Sequence, residues 1–252
     1  MQKLKIILRE MLILLHFDIT KNLKYDRLTR KILQQHIQID SNCIDIGCHK
    51  GEILEQMLQL APKGKHYAFE PIPYLYQHLQ EKYGEKAVIY PYALSDKNGT
   101  SAFQLVTNAP AYSGLKKRHY DVKNPIIEEI KVEVKTLDNI IHHTEPIHLI
   151  KIDVEGGEWD VLKGAKNLLT ANQPIIIFEY GKGAGDYYET QPKDIYLFLK
   201  EIGLSIYTLS AFINKKAALD IHEFKNYFYS NKEYYFVASK EIKKQNKSRN
   251  PS

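Results

Sequence analysis

A chain of 252 residues with a formal charge of +5, 44% apolar and 26% charged side chains has globular composition and enough apolar side chains for one sizeable core. These values exclude a disordered chain and argue against two independent enzyme domains. The two cysteines, Cys43 and Cys48, belong to no C-x-x-C or Cys/His cluster, which speaks against a disulfide framework and a zinc site and fits a reducing, cytoplasmic setting.

In chain order, an apolar stretch at 6–17 is broken by Arg9 and Glu10 and is too short to span a bilayer. Its apolar positions, Leu4, Ile7, Leu8, Met11 and Leu15, recur at helical spacing. The expectation is an amphipathic helix packed on the domain, with peripheral membrane contact as the alternative and no stable membrane insertion. A second amphipathic helix is predicted over 27–39, so residues 1–40 form an N-terminal helical attachment. A single α/β domain is expected over 41–239.

That domain opens with the strand Cys43-Ile44-Asp45-Ile46, a glycine loop and a helix over 52–60. A strand over 66–69, a helix over 74–83 and a strand over 87–93 follow. This alternation predicts right-handed β-α-β units on a mostly parallel, doubly wound α/β sheet with helices on both faces. Strands over 100–106 and 130–136, with the loop carrying Pro110, Gly114 and Lys116-Lys117-Arg118 between them, form a small β insertion at 100–136. The alternation resumes with a strand over 148–152, a helix over 158–169, a strand over 175–178 and a helix over 192–202. Runs at 205–209 and 234–238, rich in aromatic and β-branched residues, predict an antiparallel pair at the C-terminal edge. From 240 onward Lys240, Lys243, Lys244, Lys247 and Arg249 mix with polar residues, a disordered basic tail without the interleaved aromatics of a single-strand binder. No nucleic-acid partner is expected, and the oligomeric state is not legible.

The sharpest local signal is Asp45-Ile46-Gly47-Cys48-His49-Lys50-Gly51, placed between strand and helix. Glycines there admit close backbone approach, and a helix start offers free N–H donors. A dinucleotide fingerprint wants glycine where Asp45 stands, because a pyrophosphate tolerates no carboxylate beside it. Asp45 suits the ammonium end of a methionine moiety. His49 is either a base or a hydrogen-bonding spacer. Glu70, ending the next strand in Phe69-Glu70-Pro71, falls about 20 residues on, where an acidic side chain grips a ribose diol. Ala93 and Leu94 would flank an adenine ring. Finally Asp153, Glu155 and Glu158 gather just past the 148–152 strand, at the edge where open α/β sheets bind ligands. One of them is expected to take a hydroxyl proton or to ligate a cation that acidifies it. Glu158 also has a purely structural explanation in the helix dipole.

Taken together, Ile44 to Gly51, Phe69-Glu70-Pro71-Ile72-Pro73, Ala93-Leu94-Ser95-Asp96, Thr136-Leu137-Asp138 and Ile150-Lys151-Ile152-Asp153-Val154-Glu155-Gly156-Gly157-Glu158 resemble the FkbM-type branch of the class I S-adenosylmethionine-dependent methyltransferases. Cys48 and Gly157 depart from the family's common alanines. The resemblance implies a seven-stranded sheet and S-adenosylmethionine as cofactor, bound by Asp45, Ile46, Gly47, Cys48, His49, Gly51, Glu70, Pro71, Ala93 and Leu94. It further implies O-methylation of a hydroxyl on a small molecule, sugar, glycan or secondary metabolite. Asp153, Glu155 and Glu158 are the catalytic candidates, and no residues are assigned to a metal. The competing readings are a nicotinamide-dependent oxidoreductase and a non-catalytic binding module on the same fold. The segments 111–119 and 181–191, the latter with Tyr187 and Tyr188, are expected to close over the acceptor.

Overall fold

The computed structural model describes residues 20–120 and 122–241. The predicted helix at 6–17 and nearly all of the basic tail lie outside the described residues. The chain begins with α1 (Lys21–His36), whose first turn is capped by the Thr20 hydroxyl accepting from Leu23 N at 3.2 Å. After β1 (Cys43–Ile46) come α2 (Glu52–Leu60), β2 (His66–Phe69), α3 (Pro73–Tyr83) and β3 (Val88–Tyr90). The expected strand over 87–93 is two strands. Pro91 has no N–H to continue the ladder, and β4 (Tyr92–Leu94) leaves β3 to join a second sheet.

That second sheet has the order β4-β6-β5, with β5 (Gly99–Val106) antiparallel to β6 (Ile127–Lys135). It packs Phe103, Leu105, Val132 and Val134 with Ala93 of β4 against Ile72 and Leu75, so the insertion sits beside the segment that leads from β2 into α3. The chain continues through α4 (Leu137–Ile140), β7 (Leu149–Ile152), α5 (Glu158–Lys163), α6 (Lys166–Asn172) and β8 (Ile175–Glu179). The single helix expected over 158–169 is broken at Gly164, where an added Cβ would lie 2.1 Å from the Ser95 carbonyl oxygen. Closing the chain are α7 (Pro192–Glu201), β9 (Ser205–Thr208), α8 (Leu209–Ile213), α9 (Ile221–Ser230) and β10 (Tyr235–Ser239). The sequence reading missed α8 and α9, although Asp220 and Glu223 form a reciprocal capping box at the start of α9.

The main sheet has seven strands in the order β3-β2-β1-β7-β8-β10-β9. All run parallel except β10, which pairs antiparallel with both β8 and β9. The antiparallel edge pair is as expected, with β9 outermost and β10 between β8 and β9. The composition of β10 explains its inner place. Phe236 and Ala238 enter the core under α5, α6, α7 and α9, while Val237 enters the opposite core under α1, α2 and α8. A strand buried on both faces belongs inside a sheet.

Candidate active site

In-register pairing of Phe69 with Ile46, Ile46 with Ile152, and Ile152 with Phe178 aligns the strand ends. The residues one step beyond them, Glu70, Gly47, Asp153 and Glu179, therefore form a row along the C-terminal edge of the sheet. Tyr235 of β10 lies directly across from Glu179 and extends the row. One pleat back, Asp45 pairs with Lys151 on the same face. This is the edge, next to the reversal of strand order between β1 and β7, where open α/β sheets hold their ligands.

A cleft opens over the β2, β1 and β7 part of the row. Ile46, Gly47, His49, Glu70, Pro71, Ala93 and Leu94 line it, together with Phe103, Pro110, Ala111, Ser113 and Leu115 of the insertion and Asp153 and Glu155. Asp45, Cys48, Gly51 and Glu158 are not among the lining residues. Asp45 is 1% exposed, and its carboxylate is met by the Cys48 thiol and the backbone of Leu54. Burial raises its pKa against the opposing pull of Lys151.

The two glycines serve the protein's own packing. A Cβ on Gly47 (φ +75) would lie 1.8 Å from the Asp153 carbonyl oxygen, and one on Gly51 (φ +82) would meet Leu79 and Tyr83, each at 2.7 Å. His49 also adopts a left-handed backbone, φ 50. Its backbone N–H donates to Glu70 Oε2 at 2.8 Å, while Ile72 N donates to Oε1 at 2.9 Å. Each Glu70 oxygen thus keeps accepting capacity towards the cleft. Burial, outweighing these two backbone bonds, lifts its pKa to about 7. The His49 ring is pushed towards its neutral form by burial and by Lys50.

The three carboxylates past β7 have different surroundings. Asp153 Oδ2 accepts from Lys151 Nζ at 2.9 Å and from the Tyr235 hydroxyl at 2.6 Å. Burial opposes its ionisation, but Lys151 and these hydrogen bonds hold its pKa below the ordinary value. Glu155, in left-handed conformation at φ 59, is ion-paired with Arg118. Burial and the Asp153 charge outweigh Arg118 and raise its pKa to about 8. Glu158 is 1% exposed, and its Oε1 accepts from Val154 N at 3.0 Å and Gly156 N at 3.2 Å. It braces the loop that presents Asp153 and Glu155.

Sequence reasoning passed over Glu179, Tyr235 and the partners of Lys151 and Arg118. Burial and the neighbouring carboxylates push the Glu179 pKa well up, and its side chain hydrogen-bonds Asp153. The available signal was positional: Phe178-Glu179 ends its strand as Phe69-Glu70 does. Arg118 is 7% exposed at its side chain and joins three segments. Besides Glu155, it donates to Gly183 O at 3.2 Å and Tyr112 O at 3.3 Å. With Lys116 donating to Tyr187 O at 3.2 Å, it ties the insertion to the 181–191 segment, none of whose residues lines the cleft.

A doubly wound sheet with an acidic residue at the end of β2, a carboxylate in the first glycine loop and more carboxylates past β7 defines an S-adenosylmethionine-dependent methyltransferase. The methyltransferase FkbM domain model matches residues 45–206, and the chain belongs to that family. This assignment decides against the nicotinamide reading and makes S-adenosylmethionine the methyl donor. The chain is 31% identical over 180 residues to the 2-O-methyltransferase NoeI of Sinorhizobium fredii (strain NBRC 101917 / NGR234), covering 64% of this chain and 70% of that protein. Among solved structures it is similar to an FkbM methyltransferase from Methylobacillus flagellatus KT, at 14% identity and a TM-score of 0.49 over 80% of this chain. The chain spans 44% of that structure's length. It is also similar to Aeropyrum pernix fibrillarin, at 12% identity and a TM-score of 0.45, over 84% of this chain and 74% of that one. Among the described residues no helix is long and apolar enough to cross a membrane, and no three His, Cys, Asp or Glu side chains are arranged to hold a metal ion.

Proposed function

We propose that the chain methylates a hydroxyl group on a sugar, glycan or comparable small polyol, with Glu155 as the proton acceptor. The observation that carries this reading is a cleft-lining carboxyl with a pKa raised to about 8, partnered by Arg118. Likeness to a 2-O-methyltransferase supports a hydroxyl acceptor. S-adenosylmethionine, when bound, supplies a methyl group already activated by its sulfonium and leaves as the neutral thioether. The chain's residues then have to hold the acceptor oxygen in line with that methyl and take one proton. As the O–CH3 bond forms, the hydroxyl proton passes to the Glu155 carboxylate. Asp153, with one oxygen already engaged by Lys151 and Tyr235, acts as the fixed anion that orients the site, and Glu158 positions the loop.

The cofactor assignments follow the cleft. Glu70 accepts from the ribose diol beside the backbone of Gly47 and His49, with Ile46 and Pro71 as flanking walls. Ala93 and Leu94 border the adenine. Asp45, below Cys48 and Gly51, provides the charge that answers the ammonium group. Residues 41–239 are the catalytic domain in this reading, with the insertion and the 181–191 segment over the acceptor. The acceptor is small rather than a nucleic acid, and the buried free thiols of Cys43 and Cys48 suit the reducing cytoplasm.

Transfer of labelled methyl from donor to a panel of monosaccharides and glycans tests the reading, with Asp153→Asn and Glu155→Gln assayed with and without EDTA. Loss of transfer in Glu155→Gln, with the wild type insensitive to EDTA, is expected. Inhibition of the wild type by EDTA points instead to a metal. Glu70→Ala should weaken donor binding by about 1–3 kcal/mol. Full activity and donor affinity in both carboxylate variants would remove the reaction centre from this place, and tight donor binding without any methylated product would favour a non-catalytic module.

A further inference from the structure

The first turn of α1 is fastened to the segment that enters β10. Lys21 Nζ donates to Asn231 O at 2.8 Å, and the Tyr234 hydroxyl donates to Asn22 Oδ1 at 2.6 Å. The same segment leads to Tyr235, whose hydroxyl binds Asp153. Thr20, and with it the point where residues 1–19 join, therefore lies at the end of the sheet that carries the cleft. In sequence those residues place Leu4, Ile7, Leu8, Met11 and Leu15 at helical spacing, with Lys3, Lys5 and Arg9 among them.

A continuous rim runs from that point. Gly181 packs on Tyr234, since an added Cβ would lie 2.8 Å from the Tyr234 Cβ. Lys182 Nζ stands 5.5 Å over the Tyr229 ring, whose hydroxyl donates to Gln191 Oε1 at 3.3 Å. From the 181–191 segment the rim passes to the insertion, where Lys116 Nζ lies 5.0 Å over the Tyr188 ring. Lys21 likewise sits 5.7 Å over Tyr234. Tyr187 and Tyr229 are 39% and 51% exposed. Lys24 is taken up by Glu233 and Arg118 by Glu155. The other charges of these segments are Lys21, Lys116, Lys117, Lys182 and Lys232, all exposed, against Asp186 and Glu189.

We propose that this end of the protein is a membrane-binding face, on which the rim and residues 1–19 dock together on an anionic bilayer with the cleft at the same end of the sheet. Tyrosine is favoured at the depth of the lipid headgroups, and lysine there meets anionic lipid. An apolar stripe at helical spacing takes up the boundary with the acyl chains. RNA would use the basic and aromatic groups of the rim but has no use for the apolar stripe, which is why the bilayer is the better partner. The proposal holds whatever the acceptor is.

Co-sedimentation of the intact wild-type chain with phosphatidylcholine vesicles, with and without about 30% phosphatidylglycerol, tests this. At about 0.1 M salt the expected result is at least roughly tenfold tighter binding to the anionic vesicles, weakened severalfold at about 0.5 M salt. Lys182→Glu combined with Lys232→Glu should weaken that binding about tenfold, and Leu8→Glu, on the apolar stripe, by a similar factor. None of these residues lines the cleft, so unchanged S-adenosylhomocysteine affinity by calorimetry shows that the variants are folded. Orientation is read from an environment-sensitive fluorophore attached through Tyr187→Cys on the rim, or through Glu85→Cys near the start of β3 at the opposite end of the sheet. Its emission should shift to the blue on vesicle binding at 187 and stay fixed at 85. Absence of wild-type binding to the anionic vesicles, or equal binding to both kinds, overturns the proposal without recourse to any variant. So does binding that survives both sets of charge and apolar changes, a blue shift at 85 alone, or a preference for a single-stranded RNA oligonucleotide over the vesicles. Each of these leaves the donor assignment standing, since S-adenosylhomocysteine binding decides it separately.

Discussion

The Tyr235 hydroxyl donates to Asp153 Oδ2 at 2.6 Å, on the same oxygen that Lys151 Nζ reaches at 2.9 Å. Residues 82 positions apart are brought together because β10 lies beside β8, putting Tyr235 across from Glu179 and one strand away from Asp153. Two donors on one oxygen favour the ionised carboxylate over the acid.

Tyr235→Phe removes one of those donors and leaves the ring's packing on Tyr25, 5.0 Å between centroids, in place. Asp153 has a depressed pKa, so its contribution is present above the unfolded carboxylate range and is lost as pH falls through the folded value. The variant raises that folded value. Acid unfolding followed by circular dichroism should begin about half a pH unit higher, with a loss of about 1 kcal/mol near neutrality. An unshifted acid transition would mean the bond contributes nothing to holding the charge.

Gly47→Ala should be far more damaging than its size implies. The added Cβ would meet the Asp153 carbonyl oxygen at 1.8 Å from a residue at φ +75, so strain and overlap act together. Chemical denaturation should show a loss of about 3–5 kcal/mol. A loss under 1 kcal/mol would show that the β1 and β7 ends can separate freely.

The sheet was legible because alternating apolar runs and turn residues mark each β-α unit locally, from Cys43 to Phe178. Where the reading failed, the cause was a contact distant in sequence. Gly164 breaks a helix because the Ser95 carbonyl lies against it. Pro91 was a local signal passed over. At the site, the glycine loop and the carboxylates past β7 announce themselves by spacing. Glu179 looks like an ordinary strand-end carboxylate until register sets it beside Asp153, and Arg118 looks like part of a solvated basic loop until the insertion folds it onto Glu155.

Stability of the free protein should fall as pH rises towards 8. Glu70, Glu155 and Glu158 have folded pKa values raised to about 7, about 8 and about 7, chiefly by burial. A raised carboxyl contributes stability that is complete below its unfolded pKa and disappears as pH climbs through the folded one. Between pH 6 and pH 8.5 the Tm measured by scanning calorimetry should drop on the order of 5 °C. Glu155→Gln, which cannot ionise, should show a shallower decline over the upper part of that window. A flat wild-type profile would contradict the raised values.

Arg118→Ala tests whether one guanidinium both tunes Glu155 and joins the insertion to the 181–191 segment. Its Nη2 pairs with Glu155 and reaches Tyr112 O, while Nη1 reaches Gly183 O, so alanine removes a charge and a mechanical link together. Losing the charge raises the Glu155 pKa further, since Arg118 lowers it, ahead of Lys151. At pH 7 methyl transfer should fall about tenfold and recover partly towards pH 9, as Glu155 regains its ionised form. Losing the link should appear as faster amide exchange in 181–191, with donor affinity changed less than threefold. Arg118→Lys separates the two effects. It keeps the positive charge but lacks the planar fork that spans two carbonyls and a carboxylate, so it should restore most of the pH profile while leaving the exchange fast. If lysine instead restores slow exchange but not the profile, the contacts to Gly183 and Tyr112 do not depend on the fork and Glu155 is not tuned by charge alone.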